Sequence, residues 1–196
     1  MAHQSHHSSG EDIVIHKVRP RDVGRLELVS SAIDDEGRLE LVSSAIDNSG
    51  RIQDRFTAYH DNISPPLEWT RVLEAAGYAL VVEDPDAPAD QPFVHWMLWN
   101  IPGDMTSLPP GLPQRARLDH PKGAIQGRNA KGGIGYFGPR PPPGSGPHHY
   151  HFELFALDKR LPMEPDTPLP ELLNALKGNT IAEADLVAVY EAPSAQ

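Results

Sequence analysis

The sequence predicts a mainly β domain organised around one large antiparallel sheet, and three observations predict it. Four apolar runs of strand length are each closed by turn residues. A single segment carries helix punctuation. Strands and helices do not alternate, so the crossovers that parallel pairing needs are missing. The 196 residues suffice for one domain with its own core. Prolines number 21, roughly twice the usual share. They sit between the apolar runs, where they stiffen ordered loops.

Residues 1–23 are polar and His-rich ("MAHQSHHSSGED" at the start) and read as a mostly disordered tail. Within them "IVIHKV", residues 13–18, has the pattern of a short strand. Residues 24–196 read as the domain. "GRLELVSSAID" occurs at residues 24–34 and again, letter for letter, at 37–47. That period is too short for a solenoid unit. Each copy alternates as a strand does, so the two can pair as a hairpin, or compete for one register. The second copy runs directly into the rest of the chain and is expected to hold the native slot.

The main strands follow. "GYALVVEDPDAP" is apolar through residues 78–82 and ends in a turn. "FVHWMLWNIP" is a strand over residues 93–101, stopped by Pro102. "HHYHFELFALD" and "ADLVAVYEA" supply two more. The one helix is "PELLNALKG", with Pro170 at its first position and Gly178 just past its end.

Composition excludes several functions. With no cysteine, disulfides, thiolate nucleophiles and Cys-type zinc sites are ruled out. No apolar run reaches the ~18 residues of a membrane span, and the N-terminus lacks a signal pattern; a cytoplasmic location is expected. A formal net charge of −10 repels nucleic acid at long range. Any anion must therefore be held by a few well-aimed donors.

Three stretches can supply them. In "VVEDPDAP", Asp84 and Asp86 follow a buried run, with Pro85 and Pro88 stiffening the turn; alone, Asp-Pro-Asp is an ordinary turn. In "FVHWMLWNIP", strand parity puts His95 on one face with Met97 and Trp99, where, taken alone, a core histidine satisfied by a carbonyl is the better reading. In "GPRPPPGSGPHHYHFELFALD", a Pro/Gly segment delivers His148 and Tyr150 at a strand mouth. Its free amides can form an anion-binding concavity. Histidines, a phenol and amides donate to phosphate oxygens; carboxylates orient the histidines or receive an ammonium.

These motifs resemble the phosphatidylethanolamine-binding proteins, particularly the bacterial and archaeal Raf kinase inhibitor-like branch. "RIQDRFTAYHDNISPPLEW", "LVVEDPDAP", "VHWMLWNIP", "GRNAKGGIGYFGPRPPPGSGPHHYHFELFALD" and "LLNALKGNTIAEADLVAVY" carry the likeness in order, from about residue 39 to 190. The resemblance implies a large central sheet, a smaller sheet packed on it and a short helix near the C-terminus. It also implies a small surface pocket for phosphate-like anions or phosphoethanolamine headgroups. That pocket would use Asp84, Asp86, His95, His148 and Tyr150, with Gly138 and Pro142 from the preceding loop, and a cis peptide in the aspartate turn. Position 149 is His where many relatives carry Arg, and 145 is Ser where bacterial relatives often carry His.

The expected function is binding of a phosphate-bearing small molecule or lipid headgroup, with modulation of a protein partner and a homodimer as further expectations. No cofactor or metal is expected. The alternative is a hydrolase using His/Asp acid–base chemistry. It lacks an evident nucleophile, because Ser145 lies in "GSG" rather than a strand-to-helix elbow. A 2-His-1-carboxylate metal set of His95, His148 and an aspartate is a further alternative.

Overall fold

The computed structural model describes residues 38–193. The tail, the strand expected over residues 13–18 and the first copy of the duplication lie outside them. Five strands form the main sheet: β3 (Gly77–Asp84), β4 (Phe93–Pro102), β6 (Ile125–Gln126), β7 (His148–Leu157) and β8 (Thr180–Tyr190). Their order is β6-β4-β3-β7-β8, with every neighbouring pair antiparallel. A smaller sheet joins β1 (Leu41–Val42), β2 (Leu67–Trp69) and β5 (Ser107–Leu108) in the order β1-β2-β5. β1 comes from the second copy of the duplicated segment, in which Leu39, Leu41 and Ala45 turn inward.

Both faces of the main sheet are covered, which is why the central strand β3 is apolar through residues 78–82 and has every residue buried. One face (Leu80, Val82, Trp96, Leu98, Phe152, Leu154) packs against Leu41, Leu67, Trp69 and Leu108 of the small sheet. The other (Ala79, Val81, Met97, Trp99, Phe155) packs on Leu172 and Leu176 of the helix α1 (Leu169–Asn179). Each large side chain so buried contributes about 1.5–3 kcal/mol. Among the described residues no helix is long and apolar enough to cross a membrane.

Two expectations at α1 are corrected. The helix begins at Leu169, so Pro170 stands second rather than first, and it runs through Gly178 instead of stopping there. Its last carbonyls need no glycine turn: the Asn179 Nδ2 donates to the Ala175 carbonyl at 2.6 Å, and the Thr180 Oγ1 to that of Leu176 at 2.9 Å. The chain therefore passes from helix into β8 without a loop.

The register of β4 contradicts simple alternation. Val82 pairs with Trp96, but Glu83 pairs with Val94, so His95 is an extra residue. A second irregularity lies between the pairs Tyr78–Ile101 and Leu80–Leu98. There Asn100 takes φ 59, and its amide exchanges two hydrogen bonds with the backbone of Leu161, at 2.9 and 2.8 Å. A bulge puts two successive side chains on the same side. His95 thereby leaves the face of Met97 and Trp99, where parity had put it, and joins that of Trp96 and Tyr150.

Candidate functional site

The site is built where the end of β3, the bulge of β4 and the start of β7 meet under the Pro/Gly loop. Asp84 ends β3. Its Oδ1 accepts the amide of Asp86 at 2.9 Å, and its Oδ2 faces the Nδ1 of His148 at 2.8 Å. The side chains of His148 and Asp84 are only 3% and 5% exposed. Burial pushes the Asp84 carboxyl above its ordinary range, against the pull of His148 and the Asp86 amide. The cis peptide expected in this turn is absent. Among the described residues the cis bond is His120–Pro121, and the Asp86 amide closes the aspartate turn with a trans backbone.

The far nitrogen of His148, Nε2, lies 3.0 Å from the Ser145 Oγ, which in turn donates to the Pro142 carbonyl at 2.8 Å. His148 thus reaches the site with both ring nitrogens engaged. Asp86 turns away, accepting the amide and the Nδ1 of His149 at 2.8 and 2.7 Å. Burial raises its carboxyl, but the two His149 bonds outweigh that and hold it below the usual carboxylate range.

His95 is clamped by the loop. Its carbonyl accepts the Phe137 amide at 2.9 Å, while its Nδ1 lies 2.5 Å from the Phe137 carbonyl. That oxygen can only accept, so Nδ1 carries the proton and Nε2 is the nitrogen that can gain one. Burial, reinforced by nearby His148, lowers the His95 pKa to about 4, against the opposing carbonyls of Phe137 and Gly138. Near neutral pH His95 is therefore a neutral core histidine satisfied by a carbonyl.

Tyr150 separates the two imidazoles. Its ring meets His95 edge-on at 5.1 Å and stacks on His148 at 6.5 Å. Its buried hydroxyl lies near Asp84 without completing a hydrogen bond of normal geometry, and burial followed by the Asp84 charge keeps it un-ionised.

These groups floor a half-open cavity of about 490 Å³, lined by Asp84, His95, His148, Pro142 and Pro143, with the aromatics Tyr59, Phe93 and Phe137 and the cations Lys131 and Arg140. Lys131 Nζ sits 5.9 Å from the ring centres of both Phe93 and Phe137, and Arg140 Cζ 5.6 Å from that of Tyr59. Lys131, Arg140, Tyr59, Phe93 and Phe137 were missed in the sequence. The available signal was the two basic residues inside the otherwise uncharged "NAKGG" and "FGPRPPP". Among the described residues no three His, Asp or Glu side chains form a metal-ligand group.

Of the seven residues proposed from sequence, Asp84, His95, Pro142 and His148 line the cavity; Asp86, Gly138 and Tyr150 do not. The amides of Gly138 and Ser145, expected to face an anion, are already bonded to the Asn62 Oδ1 at 2.7 Å and the Pro142 carbonyl at 3.1 Å. Gly138 is needed for space: a Cβ there would stand 2.4 Å from the Phe56 carbonyl oxygen and 2.9 Å from the Ala58 nitrogen. Gly138→Ala is expected to cost about 1–3 kcal/mol by overpacking, read as a lowered urea midpoint; an unchanged midpoint would show that the loop yields freely.

Comparison with known proteins follows the same outline. A family model described as phosphatidylethanolamine-binding protein matches residues 42–191. A UPF0098 protein of Methanothermobacter thermautotrophicus is 44% identical over 140 residues, 71% of this chain and 89% of that protein. The UPF0098 protein YbcL of Escherichia coli is 39% identical over 66% of this chain and 72% of its own length. A crystal structure of E. coli YbcL, described as a new member of the mammalian PEBP family, superposes with a TM-score of 0.73 at 33% identity, over 80% of this chain and 100% of that one.

Proposed function

The chain belongs to the phosphatidylethanolamine-binding protein family, and from that premise we propose that its cavity binds a phosphate-bearing small molecule or headgroup. One observation carries the reading. In a chain of net charge −10, two exposed cations, Lys131 and Arg140, converge on the same cavity as His95 and His148. Local donors there can outweigh the unfavourable overall field. Lys131 and Arg140 supply charge, and His95 supplies a further N–H when an anion draws a proton onto Nε2.

The ammonium end of a phosphoethanolamine finds less. The aromatic faces that would attract it already carry Lys131 and Arg140. The carboxylate within reach, Asp84, is engaged by His148 and the Asp86 amide. Recognition is therefore of the anion, and a free phosphate and a headgroup phosphate share it.

Titration calorimetry with inorganic phosphate and with O-phosphoethanolamine tests this. Both are expected to bind, with affinities within about threefold of each other, a difference of under 1 kcal/mol. Arg140→Gln should weaken phosphate binding about two- to fivefold, as befits an exposed charge, and lessen its salt dependence. Absence of phosphate binding at about 10 mM, weaker than any millimolar site, would overturn the reading. A strong preference for the amine-bearing ligand would overturn the assignment of recognition to the anion.

A further inference from the structure

Ser145, His148 and Asp84 form a continuous hydrogen-bonded line: serine Oγ to Nε2 at 3.0 Å, then Nδ1 to Oδ2 at 2.8 Å. We propose that this line is a serine-nucleophile relay and that the protein hydrolyses carboxylic esters of phosphorylated alcohols. The choice of substrate rests on the anion cavity proposed above; the nucleophile does not.

The three residues fill the roles that such chemistry needs. The base is buried and fixed by a buried carboxylate, so its ring cannot turn. The nucleophile stands two residues beyond Pro143, which with Pro142 forms part of the cavity wall. Gly144 and Gly146 flank it, both at φ 81, and a Cβ built on either would meet nothing within 4 Å. An acyl group therefore has open space on both sides of the serine. The amides of these two glycines donate to no acceptor among the described residues, which leaves them available to a developing oxyanion. The lack of a strand-to-helix elbow is no obstacle, since nucleophile and base are already within hydrogen-bond reach.

The steps balance with water as co-reactant. The Ser145 hydroxyl swings from the Pro142 carbonyl to Nε2 and gives up its proton there as Oγ bonds to the ester carbon. The ester C–O bond then breaks, and the alcohol leaves with the proton from Nε2. Water next loses a proton to Nε2 and attacks the acyl-serine. The carboxylic acid departs, and Oγ recovers the proton. Asp84 holds the ring with Nδ1 protonated throughout, as a positioning residue. The phosphate of the alcohol part occupies the cavity beside Lys131 and Arg140.

The full chain is treated with a fluorophosphonate and the adduct located by peptide mass. One adduct is expected, on Ser145, slowed about a hundredfold in His148→Ala and absent in Ser145→Ala. p-Nitrophenyl acetate should show a burst of p-nitrophenol that Ser145→Ala abolishes. Ser145→Cys supplies a second readout, because the natural chain has no thiol of its own. Its alkylation by iodoacetamide at pH 7 should exceed that of free cysteine by about tenfold, which an inert structural position would not do. No adduct, an adduct elsewhere, or a Ser145→Cys variant no more reactive than free cysteine overturns the proposal. A phosphate titration of the unmodified protein separates the two readings: phosphate binding without labelling sinks the relay alone, and labelling without phosphate binding sinks the cavity reading and spares the nucleophile.

Discussion

Asp84→Ala will destabilise the fold by about 3 kcal/mol, measured as the urea-unfolding free energy at pH 7. The carboxylate is buried and serves two donors, the Nδ1 of His148 and the amide of Asp86. Removing it strands a buried imidazole without its partner and opens the aspartate turn. Breaking a buried pair from one side costs about 3–5 kcal/mol when both members are charged, and about 1–3 kcal/mol for a neutral group left unsatisfied. The expected value lies where these ranges meet. Asp84→Asn keeps an acceptor for the Asp86 amide and should cost about 1 kcal/mol. Equal losses in the two variants would show that the carboxylate's bonds are not what stabilise this corner.

His95 will make the protein acid-sensitive. Its pKa is about 4 in the folded chain against 6.5 for the free group. A histidine whose folded value is depressed contributes its full stability above the unfolded value and loses it as pH falls toward the folded one. Between pH 7.5 and 4.5 the loss is roughly 2–3 kcal/mol. Other groups titrate in the same window, so the quantity to measure is a difference. The fall in unfolding free energy between these pH values should be smaller by that amount in His95→Gln than in the natural chain. Equal falls would show that folding leaves the His95 pKa unshifted. The same position governs ligand pH dependence. Sulfate, whose charge does not change in this range, should bind more tightly as pH falls and should still be gaining between pH 5.5 and 4.5 rather than levelling off below 6.5. His95→Gln should flatten that gain.

Much of the fold was legible because hydrophobic patterning and turn chemistry agreed. The unbroken apolar run of β3 marked a strand covered on both faces, and the prolines of the loops marked where strands stop. The small sheet was implied by the resemblance alone: β1 and β5 have two residues each and β2 three, too few for periodicity to register. The bulge at His95 was invisible for a different reason. Alternation assigns faces by counting, and one extra residue reverses the count with no mark in the local composition. Without that bulge the two imidazoles would lie on opposite faces of the sheet.

The site was legible in its polar inventory and less so in its division of labour. Asp84 and Asp86 look equivalent in "EDPDAP", yet one faces the buried His148 and the other an exposed His149. That choice depends on which histidine of the "HHYH" run points inward, a matter of register across strands distant in sequence. Lys131 and Arg140 were overlooked because an exposed cation in a loop carries no pattern. Only the folding of residues 127–137 along the edge of β4, where the amides of Gly127, Ala130 and Phe137 bond to the carbonyls of Met97, Val94 and His95, carries this loop and Lys131 to the cavity.

Crystals grown with phosphate test the central claim most directly. The account predicts a tetrahedral density in the cavity, within hydrogen-bond reach of Lys131 or Arg140 and of the His95 ring, and its loss in the Lys131→Gln/Arg140→Gln double variant. A cavity filled only by water, with phosphate bound elsewhere on the surface, would contradict it.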